Sequence, residues 1–372
     1  MGGILLTFFW FLVVLTPLVF VHEFGHYWVA RRNGVRVETF SIGFGKELFG
    51  FNDKSGTRWK FSLIPVGGYV KMFGQSDIGP DDDGTPLTPE ERAVSFHHKR
   101  LGQKAAIVAA GPIANIVFAI LIFTISFMTI GQPFTPARIS EVNPDSVAAE
   151  VGFKAGDLFL KVAGRKVERF EEVQQLVRLH PGIPIIVVVE RDGAEVTLPV
   201  TPKVETFIDA LGDEQRIGLL GVRGTEREFQ RHSPIQAVWQ SLRETGRLTS
   251  LTVTAIGQMF SGERSAKELG GPVRIAQMSG TAANNGIMTL IVFAAFLSIN
   301  LGLINLLPIP LLDGGHLLFY AYELVFRRPP NPWIVDFGLK IGLALVLSLM
   351  LFATYNDLVR LPLVQRLVAL VT

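Results

Sequence analysis

The sequence predicts a multi-span α-helical membrane protein of about four transmembrane helices, with one small α+β domain between the second and the third. Three observations carry this. Hydrophobic residues make up 48% of the 372 and charged residues only 18%, where a soluble protein carries roughly a quarter charged. The apolar residues gather into long runs, and mean hydropathy is +0.36. One interval, 131–285, departs from that pattern and alternates like a folded β-rich domain.

The elements follow in chain order. No charge interrupts Gly2–Val21, and about 20 apolar residues suffice to cross ~30 Å of hydrocarbon, so residues 1–30 form the first span. A cleaved signal peptide would bring a basic start and a small-residue cleavage site, and neither is present. The second span, 105–131, holds the run Ala105–Ile130. The third, 285–326, holds Ile287–Leu312, interrupted by Asn300, Asn305, Pro308 and Pro310. Residues 327–372 contain the fourth, Ile341 to about Ala353, and the C-terminal segment.

Charges set the orientation. Arg31, Arg32 and Arg36 follow the first run, Lys99, Arg100 and Lys104 precede the second, and Arg327 and Arg328 join the third to the fourth. The positive-inside rule then puts 31–104 and 327–340 in the cytoplasm. Arg360 and Arg366 weigh the other way. The interval 131–285 and both termini face outward.

Strand-like stretches Ala137–Val142, Asp157–Val162, Ile185–Arg191 and Glu195–Val200 alternate with turn signals such as Asn143-Pro144 and Asp192-Gly193. A helical pattern covers Phe170–Leu179. Residues 132–203 therefore form the α+β domain. In 204–284, Val238, Leu242, Leu248, Leu251, Ile256 and Met259 recur at helical spacing among polar residues. That suits helices on the outer membrane surface and suits packing against the preceding domain equally well.

The chemistry is concentrated. His22-Glu23-Phe24-Gly25-His26 closes the first span. Residues i and i+4 share a helix face, so both imidazoles can bind one ion, with Glu23 beside them to accept a proton from water. This is the H-E-x-x-H arrangement of zinc proteases. Neutral imidazoles leave the ion its charge, and a bound Zn²⁺ brings the pKa of water to ≈ 7. Two histidines and a carboxylate at membrane depth cost several kcal/mol in insertion, so intramembrane ionisable groups are read as functional. Cysteine is absent, so a third ligand must be His, Asp or Glu. Asp313 stands in Asn305-Leu-Leu-Pro308-Ile-Pro310-Leu-Leu-Asp313-Gly314-Gly315, a helix break of the kind tolerated at membrane depth only against protein or a wet cavity. Asp313 is therefore the best candidate for the third ligand, ahead of His316 and of the bland reading of Asp313 as a local cap at a helix end.

HEFGH in one span and NLLPIPLLDGG in a later one resemble the site-2 protease family of intramembrane metalloproteases, and within it the bacterial proteases of the sigma-E stress response. Gly111-Pro112-Ile-Ala-Asn115 is similar to the family's GPxxN element, whose small residue and amide face the catalytic helix. Phe61–Met72, with Gly67, Gly68 and Tyr69, resembles a membrane-reentrant β-hairpin at about 58–73 that presents a strand to substrate. The resemblance implies a Zn²⁺ cofactor on His22, His26 and Asp313, with Glu23 as catalytic base. Asn305, Pro308, Pro310, Gly67, Gly68, Tyr69 and Asn115 would contact substrate. It further implies that 132–203 is a PDZ domain, since Ala148–Asp157 and Val162-Ala-Gly164 match that domain's signature stretches; only one copy is found. Single-span membrane proteins, anti-sigma factors and remnant signal peptides among them, would be the partners. The enzyme would be a monomer in the bilayer of the bacterial inner (cytoplasmic) membrane, with the PDZ domain periplasmic.

Other readings fare less well. A net charge of +2 does not indicate a nucleic-acid surface. Di-iron desaturases need about eight clustered histidines, whereas this chain has seven. A catalytically inactive PDZ-bearing anchor would be expected to have lost Glu23 or a ligand, and a zinc transporter to carry polar residues along more spans. Asp81-Asp82-Asp83 lacks the spacing of an EF-hand loop. His97, His98, His180 and His232 are read as surface residues.

Overall fold

Apolar runs longer than the bilayer is thick fold as helices, because hydrocarbon offers no partner to a bare backbone N–H or C=O. The computed structural model describes residues 2–75, 87–208, 214–224, 228–261 and 270–359. Among these, four helices are long and apolar enough to cross a membrane: Leu5–Arg32, Leu101–Thr129, Ile287–Asn305 and Pro332–Val359. The acidic run 81–83, and Arg360 and Arg366, lie outside the described residues. The chain forms two compact units, one of residues 1–123, 238–259 and 265–372, the other of 124–237 with 260–264.

The first unit opens with α1 (Gly2–Arg32), β1 (Val37–Asn52), β2 (Arg58–Met72), α2 (Pro89–Val94) and α3 (Leu101–Thr129). The two strands are bent, so the pair makes four arms. Glu47–Asn52 pairs with Arg58–Ser62; Arg58–Phe61 also runs beside Thr39–Ile42, whose other edge pairs with Gly68–Lys71. Among the described residues this leaves Gly68–Met72 at one edge of the sheet. The expected hairpin at 58–73 is thus only half of the element, which begins at Val37. Its first strand escaped notice because it doubles back at Gly43 and Gly45, both at positive φ, so no single face alternates along its length.

Asp53 fastens this sheet to α1. Its Oδ1 accepts the backbone N–H groups of Ser55 (2.8 Å) and Thr57 (2.9 Å). Its Oδ2 accepts Tyr27 O–H from α1 (2.9 Å) and Trp59 Nε1–H (3.1 Å). Phe40 stacks on Trp59 at 4.2 Å between centroids, with Tyr27 edge-on to both.

The second unit comprises β3 (Gln132–Phe134), β4 (Ile139–Val142), α4 (Val147–Val151), β5 (Leu158–Val162), β6 (Arg165–Lys166), α5 (Phe170–Arg178), β7 (Ile185–Arg191), β8 (Ala194–Val200), β9 (Lys203–Ile208), β10 (Glu214–Leu219), β11 (Val222–Gly224) and β12 (Glu228–Gln230). A four-stranded antiparallel sheet in the order β6-β5-β7-β8 packs Phe159, Val187 and Val189 against Phe170, Val173 and Val177 of α5. This is the α+β plan expected, but it does not end at 203. β11 pairs with β4, β12 pairs with β3, and Leu220 joins the core. The expected helical region therefore starts only at Pro234. These late strands are short and carry Glu205, Glu214, Arg216 and Arg223, which dilutes their apolar signal.

The chain continues as α6 (Pro234–Ser261), α7 (Pro272–Asn284), α8 (Ile287–Asn305), α9 (Asp313–Phe326) and α10 (Pro332–Val359). Val14 and Leu18 of α1 form a buried cluster with Ala282 of α7 and Leu290 of α8. The third apolar run breaks where its prolines fall, between α8 and α9.

Candidate metal centre

Helical periodicity sets His22 and His26 one turn apart on α1, and the break between α8 and α9 brings Asp313 to them. His22 Nε2 lies 3.3 Å from Asp313 Oδ2, and His26 Nε2 lies 3.5 Å from it. The two Nε2 atoms are 3.3 Å apart. A tetrahedral ion with N and O ligands at about 2.0–2.1 Å spaces its ligand atoms about 3.3–3.4 Å apart. The triangle therefore has the size zinc needs. Asp313 Oδ2 is buried beside both Nε2 atoms, so three ligand atoms converge on one point. With three protein ligands, a fourth position is open, as in catalytic zinc sites.

The ring of His26 is fixed from behind. Its Nδ1–H donates to the Ile107 carbonyl of α3 (2.9 Å), which holds the proton on Nδ1 and leaves Nε2 free to bind. Contact this close requires glycine. A Cβ on Gly111 of α3 would lie 2.6 Å from His26 Cε1 and 2.8 Å from Cδ2, and one on Gly25 of α1 would press on the Ala110 carbonyl and lie 2.8 Å from Ala114 Cβ.

Glu23 lines a cavity of about 280 Å³ together with His22, His26, Asp313, Asn305, Gly68 and Tyr69. The edge arm of β2 passes directly over the base: a Cβ on Gly68 would lie 2.9 Å from Glu23 Cγ. An extended chain added to that edge would lie beside Glu23.

Not every expected contact faces this cavity. Asn115 is 0% exposed and does not line the cavity. Ser298 of α8 donates to its main-chain carbonyl (2.8 Å). Gly67 packs on the Phe44 ring and Pro310 on Gly342 of α10; Pro308 is exposed on the loop. His316 lines the cavity but stands outside the ligand triangle. His98 bonds Ser95, while His180 and His232 belong to the second unit. Sequence reasoning missed Ile107, whose contribution is a main-chain carbonyl with no sequence signal. It also missed Gly25, though a glycine inside a spanning helix between two ligands was a signal of close packing.

Comparison with known proteins gives a consistent answer. The family model described as peptidase family M50 matches residues 10–349. A protein of Agrobacterium fabrum named as a zinc metalloprotease is 46% identical over 94% of this chain and 94% of its own. One of Rhizobium meliloti, named likewise, is 44% identical over 94% and 95%. The metalloprotease MmpA of Caulobacter vibrioides is 36% identical over 97% of each chain. A solved PDZ domain from Listeria monocytogenes is similar over 25% of this chain and 90% of its own, at 17% identity and a TM-score of 0.20.

Proposed function

The chain belongs to peptidase family M50 and is a zinc metalloprotease, and from that premise we propose that it cleaves single-span membrane proteins within their transmembrane segments. The observation that carries this reading is the ligand triangle of His22, His26 and Asp313, with edges of 3.3, 3.3 and 3.5 Å, whose two histidines stand on a helix long and apolar enough to span. These three residues would hold the metal. Zinc bound there supplies the Lewis acidity that polarises a peptide carbonyl and makes water nucleophilic near neutral pH.

The remaining work falls to the protein. Glu23 takes the proton of the attacking water and returns it to the leaving amide nitrogen. The edge arm Gly68–Met72 pairs with the substrate once its helix has unwound, because a peptide bond inside a helix is shielded and an added strand is not. Asn305, on the cavity wall, holds the substrate backbone. The flanking arginines and lysines support a bacterial inner membrane topology with residues 31–104 cytoplasmic and the α+β domain, read as a PDZ module, periplasmic. The enzyme acts as a monomer, and anti-sigma factors and remnant signal peptides are the substrate classes.

The test compares purified wild type with Glu23→Gln on a tagged single-span substrate, with bound zinc quantified in both. Cleavage inside the span by wild type, and zinc without cleavage in the variant, is expected. Equal behaviour of the two would sink the assignment of Glu23, and a wild type that neither cuts nor holds zinc would leave a membrane-anchored binding protein in its place.

A further inference from the structure

We infer that Asn115 is a positioning residue for the metal ligand His22: its side-chain carbonyl accepts the Nδ1 proton and so fixes which ring nitrogen is free to bind. The inference rests on the zinc reading of the site and names a part of it that the ligand triangle alone does not reveal.

The argument begins with tautomers. His22 turns Nε2 into the triangle. For that nitrogen to offer a lone pair the neutral ring must carry its proton on Nδ1, and a buried N–H without an acceptor costs about 1–3 kcal/mol. The atom beside His22 Nδ1 is the Asn115 amide, 3.4 Å away. Its Nδ2 faces the ring, while its Oδ1 is buried with no hydrogen-bond partner. Two donors therefore face each other across the gap, and an acceptor goes unused a few ångströms away. A half-turn of the amide exchanges them and places Oδ1 on the Nδ1 proton.

The rest of the helix supports the assignment. α3 gives His26 its acceptor through the Ile107 carbonyl, one turn before Gly111, which lies against the His26 ring. Asn115 comes one turn after Gly111. Positions 107, 111 and 115 thus share one face of α3, and that face serves both histidines. Asn115 is anchored independently of the metal, since Ser298 Oγ–H donates to its main-chain carbonyl and Gly302 of α8 packs so closely that a Cβ there would lie 2.8 Å from the Pro112 carbonyl oxygen. It is completely buried and does not line the cavity.

The experiment measures zinc affinity by chelator competition in full-length wild type, Asn115→Asp and Asn115→Leu, alongside KM and kcat on a single-span substrate. Removing an outer partner of a ligating histidine typically costs 10–100-fold in metal affinity, so Asn115→Leu should lose that much. Asn115→Asp, which still accepts, should stay within a few-fold of wild type. Zinc affinity unchanged in Asn115→Leu, with the loss confined to KM, would overturn the assignment and return Asn115 to substrate binding. If Asn115→Leu is poorly folded, the gain in melting temperature on adding zinc decides, because it reports binding relative to each variant's own metal-free form. A gain equal to wild type overturns the proposal and a reduced gain supports it. A wild type that binds no zinc would bring down the metal reading itself, which the other outcomes leave standing.

Discussion

Gly111→Ala tests whether α3 shapes the metal centre. The added methyl would lie 2.6 Å from His26 Cε1 and 2.8 Å from Cδ2, where unstrained carbon–carbon contacts sit at about 3.5–4.0 Å. The ring must therefore retreat by roughly 1 Å, about twice the ~0.5 Å within which a productive constellation has to be held. It cannot swing freely, because its Nδ1–H is tied to Ile107; either that bond breaks or the two helices part. Separation of the helices would give up the close packing of Gly25 on the Ala110 carbonyl. Zinc affinity should fall at least 10-fold, with activity lost in proportion. Gly102→Ala, in the same helix with open space around it, is the control and should behave as wild type. The assay is chelator competition on both purified variants, followed by cleavage of a single-span substrate. Wild-type zinc affinity in Gly111→Ala would refute the idea that close packing of α3 on α1 sets the ligand geometry.

Two further outcomes follow from separate features. Gly68→Ala should lower kcat about 10-fold or more with zinc affinity unchanged, since its methyl would sit 2.9 Å from Glu23 Cγ and 3.0 Å from Val19 Cγ1 and a 1 Å displacement of a catalytic group can cost about 100-fold; a loss of zinc would assign Gly68 to the metal site instead. In the second unit, burial alone would raise the Asp157 carboxyl, but the Arg191 guanidinium and the Lys154 N–H outweigh it and hold the group below the usual carboxylate range. The folded value being the depressed one, the stabilisation is complete above about pH 4 and disappears as pH falls through the folded value. Hydrogen-exchange protection of β5 and β7, corrected for intrinsic rates, should weaken on that acid limb. Asp157→Asn should flatten the limb and cost about 2 kcal/mol at neutral pH; a limb that survives the substitution would assign it to another carboxylate.

Much of this molecule was legible because its signals are short in range. His22, Glu23 and His26 lie within one and a half turns of a helix, so their convergence follows from periodicity alone. Asp313 was found through chemistry, as a carboxylate beside two prolines in an apolar run. The strands of the α+β domain announced themselves by alternation, and β7 coincides with the stretch Ile185–Arg191 read from the sequence. What escaped depends on contacts between distant segments. β11 and β12 are three residues each and become strands only because β4 and β3 are there to pair with them. Asn115 was recognised by its motif, but its burial beside Ser298, 183 positions away, has no local trace. Asp53 drew no attention, because an Asp-Lys-Ser-Gly turn reads the same whether or not a tyrosine from another element donates to it.

The loop that delivers Asp313 explains why the third span had to be broken. A continuous helix would spend residues 306–312 on its own backbone ladder and carry position 313 past the histidines. Instead the chain turns so tightly that Gly314 abuts the carbonyls of Leu306 and Leu307, and Gly315 abuts that of Ile309, leaving no room for a Cβ at either position. Leu311 accepts a positive φ of 97°, a conformation that costs a side-chain-bearing residue about 1–3 kcal/mol and persists only where its surroundings enforce it. The enforcement comes from two sides. Pro308 and Pro310 bring no N–H to a helical ladder, and the chain closes turns around them through Ile309 N–H to the Leu307 carbonyl and Leu312 N–H to the Ile309 carbonyl. Gly342 of α10 meets the Pro310 carbonyl with its bare Cα, 2.5 Å separating Pro310 C from where a Cβ would stand. The turn then delivers Asp313 as the first residue of α9. Strain at Leu311, the two glycines and the contact with α10 are thus parts of one device, whose product is a single oxygen held 3.3 and 3.5 Å from two imidazole nitrogens.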